Sequence, residues 1–137
     1  MQDHSQNLPE ITRHGRNPGS KGGPDRSSQI VICNGIAHFV STPRKPYDPT
    51  LGAAQMMQQA LDRVDERLAL IGSDRTDLIK VEIWIRDMRF FAEINTVWDN
   101  WIDQDAMPLR CCCAVEMGSP DLKVELIVTA RARKHPE

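Results

Sequence analysis

Between Met57 and Arg86 the spacing of apolar residues changes once, from that of a helix to that of a strand. Met57, Leu61, Val64, Leu68 and Ile71 recur at steps of four, three, four and three. That is one stripe along a helix, and Gly72 closes it. Ile79, Val81, Ile83 and Ile85 then alternate with Lys80, Glu82, Trp84 and Arg86, the period-two pattern of a strand with one buried side. A helix with a single apolar stripe and a strand with a single apolar side bury those surfaces against each other. The pair therefore predicts helix layered on sheet.

The flanking segments extend that layer. Ile30–Cys33 reads as a strand, Asn34-Gly35 as a turn or bulge and Ala37–Ser41 as a second strand. Asp48-Pro49 is expected to open the first helix, with a capping carboxylate ahead of a proline. Asp87 is placed to cap a second helix whose apolar positions run from Phe90 to Ile102. Leu109–Met117 and Leu122–Ala132 alternate again, joined at Gly118-Ser119-Pro120-Asp121 by what reads as a hairpin. The order strand, strand, helix, strand, helix, strand, strand predicts an α+β fold, a single mixed sheet with two helices on one face. On the uncovered face the alternation places Trp84, Arg110, Cys112, Ala114, Glu125, Ile127 and Thr129. Such a partly apolar face is expected to meet another subunit.

At 137 residues the chain has room for one domain. Its first 29 residues hold three strongly apolar side chains and four of the eight glycines, too little to offset ordering entropy. Residues 1–28 are therefore expected to form a flexible arm, with a short strand around Ile11-Thr12-Arg13, and 29–137 the domain. A net charge of −2 argues against nucleic acid as the main partner. Apolar runs of about four residues fall far short of the ~20 of a membrane span, and no signal peptide is read at Met1–Glu10. Cys33, Cys111, Cys112 and Cys113 fit free thiols and a cytoplasmic location. The adjacent trio lacks the spacing of a zinc site, so neither a metal nor another cofactor is expected. Taken alone, Arg110 and Glu125 read as a structural ion pair and Cys112 as a strand filler. Asn95 reads as a local hydrogen bonder, and Trp98 with Trp101 as core packing.

Three pieces together change that weighting. Phe91-Ala92-Glu93-Ile94-Asn95-Thr96-Val97-Trp98, Pro108-Leu109-Arg110-Cys111-Cys112 and Lys123-Val124-Glu125-Leu126 resemble motifs of the Rid superfamily (reactive intermediate deaminases, also called YjgF). The resemblance runs over about residues 29–133. It implies a chorismate-mutase-like, YjgF-like fold assembled as a homotrimer, with pockets between subunits. It implies hydrolysis of reactive 2-imino and 2-enamino acids to a 2-keto acid and ammonia, without a cofactor. By the same resemblance Arg110 holds the substrate carboxylate and Glu125 orients or activates water. Asn95, Cys112 and Gly35 line the pocket. Two departures fall on the wall facing the substrate side chain: no tyrosine stands near Gly19-Ser20-Lys21, and Asn34-Gly35 replaces a Ser-Gly turn. They leave open a different enamine or amide intermediate of nitrogen-compound catabolism. A trimeric module that binds a small metabolite without turnover is the alternative from another class. A pI near 6.1 and the lack of a catalytic histidine pair argue against ribonuclease activity.

Overall fold

The computed structural model describes residues 7–19 and 22–137, so residues 1–6 of the expected arm, with Ser20 and Lys21, lie outside the described residues. The strands are β1 (Ile11–Asn17), β2 (Ser27–Cys33), β3 (Ile36–Ser41), β4 (Leu78–Ile85), β5 (Leu109–Ala114) and β6 (Val124–Arg131). The helices are α1 (Ala53–Leu70) and α2 (Phe91–Trp101). All six strands join one mixed sheet in the order β1-β2-β3-β6-β4-β5. Only β4 and β5 run parallel. Both helices cover one face, as the periodicity implies, and the core lies between the layers. No helix among the described residues is long and apolar enough to cross a membrane.

The turn and helix ends follow from local chemistry. Asn34 and Gly35 take φ of 53° and 77°, the two left-handed positions of a tight hairpin turn whose twist suits the flanking strands. α1 ends where Gly72 adopts φ 67°. The Gly72 amide donates to Ala69 O at 3.1 Å and the Ser73 amide to Leu68 O at 2.9 Å, which closes the last turn. The stripe Met57, Leu61, Val64, Leu68, Ile71 is fully buried.

Five expectations are corrected. First, Asp48-Pro49 does not open α1. The Asp48 carboxylate accepts from the Thr50 amide at 2.9 Å and its hydroxyl at 2.6 Å, tying a separate turn. The helix starts at Ala53 instead, with Gln55 Oε1 accepting from the Gly52 amide at 2.9 Å. Second, the strand foreseen at residues 11–13 runs from Ile11 to Asn17 and pairs with β2 from Ile11↔Cys33 to Asn17↔Ser27. Third, β5 and β6 are not hairpin neighbours: β6 inserts between β3 and β4, leaving β5 at the sheet edge. Fourth, a bulge between Leu78 and Lys80 turns Leu78 inward and leaves Ile79 44% exposed. Fifth, the parallel register Val81↔Arg110, Ile83↔Cys112 and Ile85↔Ala114 puts Arg110, Cys112 and Ala114 on the helix side, not on the open face. Trp84, Glu125, Ile127 and Thr129 do share the open face.

One buried charge braces the fold. The fully buried Asp77 carboxylate accepts from Arg131 Nε at 2.7 Å, Arg133 Nε at 2.9 Å and the Asp74 amide at 3.0 Å. Burial alone would raise its pKa, but hydrogen bonds from Arg133, the Asp74 backbone and Arg131 together hold it below the ordinary carboxylate value. Its contribution is therefore present above that ordinary value and lost as pH falls through the depressed one. Asp77→Asn should cost about 2 kcal/mol at pH 7. In thermal denaturation that is a fall in Tm of roughly 5–10 °C, with the deficit shrinking in acid.

Candidate active site

Arg110 sits on edge strand β5 and points toward α2. Phe91, Asn95 and Trp98 are spaced four and three along that helix, so one helical face confronts the guanidinium. Its Nη2 donates to Asn95 Oδ1. Its central carbon lies 5.2 Å from the Trp98 ring centroid and 5.9 Å from that of Phe91, within reach of the attraction between a cation and a ring face. Its Nε is buried without a hydrogen-bond partner. Among the described residues no carboxylate comes within ion-pair distance of it. A half-buried cation is thus held by one amide and two aromatic rings while its charge stays uncompensated.

Two open cavities flank this group. One, of about 330 Å³, is bounded by Met88, Phe91, Arg110, Cys111 and Cys112. The other, of about 540 Å³, lies toward Trp98, Met107 and Pro108. Asp99 borders the second but forms no ion pair with Arg110. Cys112, two residues along β5, faces the same side as Arg110. Burial pushes its thiol pKa up against the lowering effect of the Arg110 charge, so it is not an activated nucleophile.

Glu125 lies elsewhere. It stands opposite Trp84 on the open face, beside a separate cavity that Thr42, Lys45 and Tyr47 help to line. Burial raises its pKa from the usual 4.5, and the Lys45 charge opposes that rise. Gly35 is more distant still, in the exposed turn next to the Ile36↔Arg131 pair at the other end of β6. A side chain at Gly35 would meet nothing within 4 Å, so its positive φ, not a close approach within the chain, is what calls for glycine. One chain therefore brings together Arg110, Asn95 and Cys112, and leaves Glu125 and Gly35 apart from them and from each other.

Sequence reasoning missed three neighbours. Trp98 packs in the core beside Trp101, as expected; what its shared spacing with Phe91 and Asn95 also carried is the contact of both rings with Arg110. Tyr47, the chain's single tyrosine, lines the Glu125 cavity and had no motif to mark it.

The titration of Glu125 has a measurable consequence. A carboxyl whose folded pKa is raised gives its full stabilising contribution below the ordinary glutamate value and loses it as pH rises through the folded one. Glu125→Gln removes that loss. Discounted for solvent screening, the gain in Tm at pH 7 should be roughly 1–3 °C, vanishing near pH 4. Thermal scans at the two pH values check it.

Comparisons with known proteins agree with this architecture. The family model described as Endoribonuclease L-PSP matches residues 28–132. A RutC family protein of Haemophilus ducreyi is 31% identical over 106 residues, covering 77% of this chain and 89% of the relative. The 2-iminobutanoate/2-iminopropanoate deaminase of Escherichia coli is 25% identical over 113 residues, covering 81% and 85%. Among solved structures, NMB1025 of Neisseria meningitidis, a YjgF family member, superposes with a TM-score of 0.77 at 29% identity, covering 91% of this chain and 97% of that one. By the extent of these matches and the sheet they share, the chain belongs to the Endoribonuclease L-PSP family, the YjgF/Rid superfamily.

Proposed function

We propose that the protein hydrolyses 2-imino or 2-enamino acids to 2-keto acids and ammonia, in a homotrimer whose active sites lie between subunits. The observation that carries the reading is Arg110: a guanidinium fixed by Asn95, Trp98 and Phe91 beside open cavities, with no carboxylate among the described residues within ion-pair distance of it. Its planar fork suits a substrate carboxylate and keeps its charge when partly desolvated. The second reactive group, Glu125, lies across the sheet, so a neighbouring copy supplies it. The open face carrying Trp84, Val40 and Ile127 supports that contact between copies.

In this scheme Arg110 pins the carboxylate and so fixes the C=N carbon next to it. Water adds to that carbon of the protonated imine, and one water proton passes to the Glu125 carboxylate, giving the neutral carbinolamine. Glu125 returns that proton to the nitrogen. As the C–N bond breaks, the hydroxyl oxygen forms the C=O bond and gives its own proton back to the Glu125 carboxylate, leaving keto acid and ammonia. No electrons are transferred overall, and water is the only co-reactant. A positioned carboxylate of this kind contributes roughly 10²–10⁴-fold where its pKa is raised toward neutrality. The E. coli relative named as a 2-iminobutanoate/2-iminopropanoate deaminase supports the assignment.

The test supplies 2-iminopropanoate continuously from an amino-acid oxidase and follows keto acid in competition with a trapping amine. Faster keto acid formation with the protein present supports the reading. Tight binding of the keto acid without acceleration supports the non-catalytic binding module instead, which needs Arg110 but not Glu125.

A further inference from the structure

A second concentration of unneutralised positive charge lies on the other side of α1. Pairing between β2 and β3 stops at Val31↔His38, and Arg67 enters the gap that opens beyond it. Arg67 is 7% exposed. Its Nη1 donates to Gln29 O at 3.0 Å and Val40 O at 2.9 Å, two carbonyls that the β2–β3 ladder leaves free. Among the described residues no carboxylate pairs with Arg67, with Arg63 one turn earlier, or with Lys45. Glu66, also on α1, is engaged by Arg44. Burying a guanidinium without a counter-ion is costly.

Satisfying the two carbonyls accounts for one nitrogen of Arg67. It does not account for the other cations gathered around a cavity of about 290 Å³. Arg63 reaches that cavity with Nη1 against Thr42 O and Oγ1 at 3.3 and 3.2 Å. Lys45, Ser28 and Tyr47 add further donors, and Glu125 is the one carboxylate of the lining, against three cations. The size is at the small end for ligand sites. A small, partly open pocket on a chain of net charge −2 suits a small anion, not a polyanion.

We propose that this pocket is a second binding site, distinct from the Arg110 cradle, for a small oxyanion group, a carboxylate or a phosphate, held by Arg63, Arg67 and Lys45. The site adjoins the proposed catalytic glutamate, because Glu125 lines the same pocket, but none of its three cations belongs to the Arg110 cavity, so anion binding there is read separately from turnover.

Isothermal titration calorimetry of the full chain at low ionic strength tests it, with inorganic phosphate in one arm and malonate in the other. At least one should saturate, and which one does so distinguishes the two sources of charge. Arg67 stays in place, because the Gln29 and Val40 carbonyls rely on it. The double variant Arg63→Gln with Lys45→Gln should weaken binding at least about tenfold through two lost charge-assisted contacts. Arg110→Ala should retain a saturable event that depends on Arg63 and Lys45, losing only what the Arg110 cradle itself binds. The proposal is overturned if neither anion saturates below about 10 mM, an affinity weaker than ~3 kcal/mol. It is equally overturned if the double variant binds normally, or if Arg110→Ala abolishes the signal.

Discussion

Arg110→Ala should lower kcat/KM for 2-iminopropanoate by about 10³-fold, the scale on which removing a charged donor from a reacting anion acts. Arg110→Lys should recover only about a tenth of that loss, since an ammonium cannot reproduce the two-pronged grip of a guanidinium. Neither change should unfold the chain. Arg110 makes no ion pair among the described residues, and the only side chain it hydrogen-bonds, Asn95, is not fully buried. Steady-state kinetics with a parallel thermal scan separates the two effects. A collapse of activity with Tm within a few degrees of the unaltered protein is the expected pair of results. Retained activity in Arg110→Ala would sink the proposed chemistry.

Mixing inactive subunits gives a sharper result. Arg110 and Glu125 face opposite sides of one sheet, so the proposed site draws them from different copies. Co-expressed Arg110→Ala and Glu125→Gln chains should then regain activity although each alone is dead. Every trimer that holds both chains has an intact arginine facing an intact glutamate at one of its three sites, so about a third of full activity is expected for closed ring symmetry. If both groups acted within a single chain, every subunit would carry one lesion and mixing would restore nothing. Differentially tagged chains purified through both tags, then assayed, give the answer. Sedimentation of the same material reports the number of copies.

What the sequence reveals here is set by the range of each interaction. The α1 stripe and the Asn34-Gly35 turn depend on neighbours a few residues apart, and both are legible. Strand order is not. Whether β6 lies beside β5 or inserts between β3 and β4 leaves the alternation along β6 unchanged, since either position buries Val124, Leu126 and Val128 on one side. The same blindness misplaced Arg110. Alternation shows that Arg110 and Cys112 share a side of β5, but only the register Val81↔Arg110 says which side that is. At residue 79 a bulge shifts the phase by one, and no composition signal marks it. The site was partly legible for a different reason. The Phe91, Asn95 and Trp98 spacing sits within one helix, whereas the surroundings of Glu125 come from Lys45 and Tyr47, about 80 positions away.

The sheet works as a partition. On the proposed reading, the grip on an acidic group belongs to the side backed by α2, and the proton-handling group to the side left for neighbours. A lineage of such a protein that stopped self-assembling would keep the first but no longer bring the second to it, and so would turn from catalyst to receptor through surface substitutions alone. Sensors descended from such an enzyme would be recognised by an intact arginine cradle above a sheet whose outer side has become hydrophilic.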